Sequence, residues 1–361
     1  MVHRLRESGH PYPFEGYGFF YFSLTCPTKK LPFPQKDKRR AFNPMKKTFV
    51  VLKVLFAAIF CVTFSANVLF AEQHLLRFLK PQKQDLKPAI VLTAFGTSTK
   101  AQITFDYMDK QIRRAFPGHE IRWAFTSQII RNKMNAIYKK RGMNKRLQSL
   151  PEVLASLKAK GYRQVVVQSL HVFPGEEYIH MINQAKMDGL NVSIGEPLIA
   201  QWEDVHKLLE SISKDFLSPD EGCNVFAGHG SPNTYAAPST AVYLAFDRLL
   251  SVHYPNCFLG SVEGVPDRKD ALDRAKAYKG KKVRIIPFML VAGDHVMNDI
   301  MGRQSHNEGE ISWAVELEKA GKEVSCPEIT VDGQRLYKGL GFYPITNKII
   351  IEHIKQAMSD L

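Results

Sequence analysis

Three short segments in the second half of the chain pair glycine with a group that can hold a metal or a proton. His229 lies in Gly228-His229-Gly230, Glu263 in Val262-Glu263-Gly264, and His295 in Gly293-Asp294-His295. Two imidazoles and one carboxylate form a ligand set for a divalent transition metal, and three protein ligands leave positions open for a substrate. The neighbouring glycines permit tight turns and let a bulky group approach the backbone. Each residue also has an ordinary reading. A lone histidine at the end of a strand is most often hydrogen-bonded to its neighbours, and Glu263 alone could be a surface acid. Gly-Asp is turn and cap chemistry, so Asp294 reads as a helix N-cap or an outer partner rather than a ligand.

Each of the three segments closes an apolar run, so the elements that carry them must be strands. From Pro88 onward, strands and helices alternate. "AIVLTAFGTS", "EIRWAFTS", "RQVVVQSLHVFPG" and "NVSIGEPLI" read as strands, each followed by a segment with helical periodicity. Continuous β-branched runs between helices predict parallel sheets covered on both faces, which bind ligands beyond the carboxyl ends of their strands.

The pattern then starts again. "NVFAGHGS" matches "VLTAFGTS", and "NCFLGSVEG" takes the place of "EIRWAFTS". "VRIIPFMLVAGDHVMNDI" follows "VVVQSLHVFPGEEYIHMI" at an offset of 118, which sets Gly293 on Gly175 and His295 on Glu177. The expected fold class is α/β. Two similar halves, 88–215 and 216–361, each carry a mainly parallel sheet flanked by helices, with the active-site cleft between them. In this alignment His229 replaces Phe95 and Glu263 falls near Ser127, so the second half alone carries the candidate ligands.

These segments resemble the anaerobic cobalt chelatases, relatives of the class II chelatases such as ferrochelatase, from about Pro88 to the C-terminus. "PFMLVAGDHVMNDI" is the most specific carrier, beside "LTAFGTS", "VVVQSLHVFPGEEY", "VFAGHGS" and "GSVEG". The resemblance implies insertion of Co2+ into sirohydrochlorin, a step of cobalamin biosynthesis, with His229, Glu263 and His295 as both metal ligands and catalytic groups. Fe2+ insertion giving sirohaem or haem is the enzymatic alternative, and a non-catalytic periplasmic carrier of metal or tetrapyrrole is the other. His171, in the first half, is expected to face the same cleft and to touch the tetrapyrrole or ligate a haem; a satisfied core histidine is its ordinary reading. Phe173, Phe288, Met289 and Leu290 are candidates for an apolar wall, with core packing the plainer role for most. Arg131, Lys133 and Arg303 are candidates for the substrate's carboxylates, with solvated surface the plainer role. "SPNTYAAPS" is long for the connection after the GHG turn.

Composition bounds the remaining choices. With 361 residues, 45% hydrophobic and 23% charged, the chain can bury a large core. Its net charge of +14 is concentrated ahead of the α/β region, since residues 1–71 hold eleven Lys and Arg against three acids. The remainder lacks long basic runs, so no nucleic-acid partner is expected. Met45–Gln73 has a basic start, an uncharged apolar core from Val54 and small residues near Ala71, the pattern of a cleaved secretory signal. Residues 1–44 read as a non-native or disordered extension, 45–71 as the signal peptide and 72–87 as a linker. A periplasmic protein with no membrane anchor after cleavage follows; an uncleaved anchor is the alternative, and a homo-oligomer is left open. "KRRAF" partly resembles a twin-arginine signal. Cys223, Cys257 and Cys326 remain after cleavage and form no C-x-x-C pair, which excludes zinc-ribbon and thioredoxin-like readings.

Overall fold

The structure, a computed structural model, describes residues 86–231, 237–303 and 311–361. The segments read as extension, leader and (except for its last two positions) linker lie outside the described residues. Within them, the strand–helix alternation builds two four-stranded sheets. The first contains β1 (Ala89–Ala94), β2 (Ile121–Phe125), β3 (Gln164–Ser169) and β4 (Asn191–Gly195), in the order β2-β1-β3-β4. The second contains β5 (Gly222–Gly230), β6 (Cys257–Glu263), β7 (Lys282–Phe288) and β8 (Glu323–Ser325), in the order β6-β5-β7-β8. All pairings within both sheets are parallel. The same order in both sheets is what a duplication produces, and it sets the GHG strand β5 between β6 and β7.

Every residue of β1 is buried because the sheet is covered on both faces. Ile90 and Leu92 join a core shared with Phe226 of β5 and Ile286 of β7, whereas Ala89 and Val91 face an outer cluster. In the second half, Val225 and Ala227 face outward in the same way. One hydrophobic layer thus binds the two sheets together. Local signals start the helices. Ser127 Oγ accepts from the Ile130 N–H at 3.3 Å ahead of α2 (Gln128–Lys140), which follows α1 (Ile103–Ala115). Ser149 and Glu152 form a capping box at α3 (Leu150–Ala159). Next come α4 (Glu176–Gln184), α5 (Trp202–Ile212), α6 (Ala237–His253), α7 (Arg268–Ala277) and α8 (Trp313–Lys319).

Three features add to the reading of the sequence. The boundary at 215/216 separates the two sets of strands but not the packing. The last helix, α9 (Pro344–Ser359), packs on β3 and β4 of the first sheet, and His353 Nε2 meets Asp204 Oδ2 of α5 at 2.9 Å. A hairpin, β9 (Glu328–Val331) with β10 (Gln334–Tyr337), turns at Asp332 and Gly333, both at positive φ; Asp-Gly is the turn pair such hairpins favour. Cys223 and Cys257, close in the fold, are free and buried on opposite faces, because the register sets Asn224 rather than Cys223 beside Cys257. Among the described residues, no helix is long and apolar enough to cross a membrane.

Candidate active site

Strand β5 delivers His229 to the carboxyl end of the second sheet. There Gly230 lies beside Glu263 in the β5–β6 register. Gly230 has φ +79°, and a Cβ on it would stand 1.7 Å from the Glu263 carbonyl oxygen, so the close approach of the two strand ends requires glycine. The neighbouring turn is fixed by Tyr243 of α6, whose hydroxyl accepts the Gly230 N–H at 3.0 Å.

His295 reaches the site differently from the expectation that a strand ends on it. Strand β7 stops at Phe288, and the apolar run continues as irregular chain. That continuation is satisfied from elsewhere: the N–H groups of Leu340 and Gly341 donate to the carbonyls of Met289 and Leu290 at 2.8 and 2.9 Å. His295 then opens a helical turn that widens into a π-helical one, Val296–Ile300, closed by the Met301 N–H donating to Val296 O at 3.0 Å. Single π turns recur at functional sites.

The imidazoles of His229 and His295 meet edge to face, with ring centroids 4.9 Å apart. Each Nδ1 faces an acceptor: the Gly230 carbonyl at 3.2 Å for His229, and Asp299 Oδ2 at 2.7 Å for His295. Nδ1 therefore carries the proton in both neutral rings, and the lone pair is on Nε2. Burial, reinforced by His295, pulls the pKa of His229 below the usual imidazole range; the Gly230 carbonyl, Glu263 and Glu177 oppose the shift. Among the described residues, no three His, Cys, Asp or Glu side chains are gathered tightly enough to close around one ion.

These residues line a cleft of about 630 Å³. Its lining also includes His171, a half-buried residue. Burial lowers the His171 pKa to about 4, so the ring is neutral near pH 7. Its Nδ1 pairs with Ser169 Oγ at 2.9 Å, and its Nε2 is buried without a partner. Phe173, Phe288, Met289 and Leu290 do both jobs expected of them: all four are buried in the core, and all four line the cleft. Of the three candidate cations, only Lys133 lines this cleft. Arg131 donates to the carbonyls of Phe125 and Thr126 at 2.5 and 2.7 Å, which commits it to the end of β2. Arg303 pairs with Glu318 and borders a separate hollow of about 460 Å³. Asp294 accepts from Asn298 Nδ2 at 3.1 Å; the acid beside His295 is Asp299.

Sequence reasoning passed over three contributors. Glu177, aligned with His295, lines the cleft from the first half and acts electrostatically on His229. Phe95, aligned with His229, lies against it with ring centroids 6.3 Å apart. The duplication itself was the signal for both. Asp299 was legible as an acid one helical turn beyond His295.

Two equivalent parallel α/β halves enclosing one cleft, with imidazole nitrogens free at its rim, define the class II chelatase fold. The family model described as "Cobalt chelatase (CbiK)" matches residues 88–359, and the chain belongs to that family. It is 30% identical over 294 residues to the sirohydrochlorin cobaltochelatase CbiKC of Nitratidesulfovibrio vulgaris, covering 78% of this chain and 95% of the relative. It is 25% identical over 280 residues to the sirohydrochlorin cobaltochelatase of Salmonella typhimurium, covering 76% of this chain and 97% of the relative. Among solved structures it resembles SirB from Bacillus subtilis, determined with Fe3+, at a TM-score of 0.50 and 13% identity, covering 76% and 96% of the two chains.

Proposed function

We propose that the protein inserts Co2+ into sirohydrochlorin, as the names of its relatives indicate for them. The observation that carries this reading is the pair of imidazoles, each anchored through Nδ1 and free at Nε2, at the rim of one cleft. In this reading His229 and His295 take Co2+ from water through Nε2. Glu263, which lines the same cleft and acts electrostatically on His229, offsets the charge of the cation. Metallation releases two pyrrole protons. Once Co2+ has passed to the macrocycle, the Nε2 lone pair of His229, a ring kept neutral by its surroundings, accepts one, and the other passes to water. Phe95 and Phe173 offer apolar surface to the macrocycle, and Lys133 offers charge to one of its carboxylates.

His171 suits a tetrapyrrole contact, because its neutral ring presents an unpartnered Nε2. The same atom could ligate a haem iron. Because it lines the substrate cleft, we assign it to the substrate, and a haem held there would inhibit competitively. The ligand types do not separate Co2+ from Fe2+, which lie close in the affinity order. Incubating the purified protein with sirohydrochlorin and Co2+ or Fe2+, followed by absorbance, tests the reading. Tetrapyrrole binding with no metallation by either ion would favour a carrier instead.

We further propose export to the periplasm, supported by the basic start and apolar core of Met45–Gln73. Mass spectrometry of the native protein should find an N-terminus near residue 72; retention of Met45 would count against cleavage.

A further inference from the structure

Among the described residues, the Asp299 carboxylate takes a hydrogen bond from His295 Nδ1, whereas His229 Nδ1 meets only a backbone carbonyl. We propose that Asp299 is a positioning residue for metal insertion that acts through His295; this rests on the reading of His295 as a metal-holding group. The bond from His295 Nδ1 to Asp299 Oδ2 is 2.7 Å, the length of a charge-assisted contact. It fixes the tautomer and the ring plane, so that Nε2 is always the metal-facing nitrogen. It also places a second negative charge behind the cation. Histidines that hold metals commonly donate their other N–H to a carboxylate for these reasons.

The local backbone is built to keep the two residues together. Val296 and Ile300 are fully buried and pin the turn to the core. Their immediate predecessors, His295 and Asp299, share a more open side, one turn apart. The duplication supplies an internal comparison. At the same offset that sets His295 on Glu177, Asp299 falls on Met181, which is fully buried in the outer core of the first half. The half without the imidazole lacks the acid as well. His229 differs again, since its Nδ1 has only its neighbour's carbonyl, at 3.2 Å. His295 is thus the more firmly held ligand, and His229 the one left freer to exchange metal for a proton.

A purely structural role predicts something else. The side chains of His295 and Asp299 are 34% and 38% exposed, and a polar pair this open contributes ~0–1 kcal/mol to folding. Stability and metal binding should therefore separate. Titrating Co2+ into the tetrapyrrole-free protein, read by the visible absorption of bound Co2+, should show Asp299→Ala binding about 10–100-fold more weakly than the parent. In turnover, the KM for Co2+ should rise by a similar factor, with the KM for sirohydrochlorin within about twofold. Asp299→Asn, which can still accept from Nδ1 but has no charge, should fall between them, and it serves if the alanine variant folds poorly. On a His295→Ala background, Asp299→Ala should add almost nothing. If His295→Ala loses Co2+ binding while both Asp299 variants keep parental affinity, this inference fails alone. If His295→Ala itself binds and inserts Co2+ normally, the metal-site reading fails with it.

Discussion

His229 and His295 stand edge to face, 4.9 Å between ring centroids, although one terminates a strand and the other opens a helical turn. Each is tethered at Nδ1 to a group on its own segment, which leaves Nε2 of both rings for another partner.

Replacing His229, Glu263 or His295 with alanine should cut metallation at least about 100-fold, beyond what loss of a supporting residue alone costs. All three line the cleft rather than the core, so unfolding midpoints should stay near the parental value. Undiminished cobalt insertion by His295→Ala would remove it from the site.

Metal affinity should depend on pH with a definite sign. Protons compete for the same Nε2 lone pairs, so Co2+ affinity should be flat at alkaline pH and fall as pH drops through the imidazole range, near 6.5 for an ordinary side chain. His229 lies below that range because of burial and His295, so its proton competes only toward the acid end. The slope should steepen there toward two protons per metal. Calorimetric Co2+ titrations from weakly acid to weakly alkaline pH read this directly, and a flat profile would defeat a two-imidazole site.

Gly230→Ala should cost at least about 2 kcal/mol and abolish activity, since left-handed strain adds to a Cβ 1.7 Å from the Glu263 carbonyl. Gly333→Ala provides the contrast: φ is +74°, but a Cβ there meets nothing within 4 Å, so about 1 kcal/mol and full activity are expected. Chemical unfolding of the two variants measures the difference. Equal losses would mean that strain alone, not the strand contact, sets the requirement.

His171 should make stability fall on the acid side. Its ring titrates near 6.5 when unfolded but at about 4 in the fold. Between those values the unfolded chain binds a proton that the native state refuses, so stability is full above pH 6.5 and declines as pH falls toward 4, by up to about 3 kcal/mol. In His171→Leu the decline should be shallower by one proton, as read from unfolding free energies at several pH values. An unchanged slope would mean that the ring is not held neutral.

The period and chemistry of the sequence were enough for the fold class, the duplication and the positions of the cleft histidines. Continuous β-branched runs such as Ile90–Leu92 can be satisfied only between covered faces, and Gly-His-Gly or Gly-Asp-His after such a run has few placements. Helix starts have an equally local cause, Ser127 and Ser149 capping α2 and α3. Other features depended on groups distant in the chain. Arg131 looked like a free cation until the end of β2 supplied two carbonyls for it. The apolar run after Phe288 looked like strand until Leu340 and Gly341 took up its carbonyls. The last helix seemed to belong to the second half until its apolar face met β3 and β4. Hydrophobic period and cap chemistry act within a turn or two of chain and can be read locally; hydrogen-bond partners and burial across the fold exist only once the two sheets have packed, and they decided which charges stayed free and where His295 was carried.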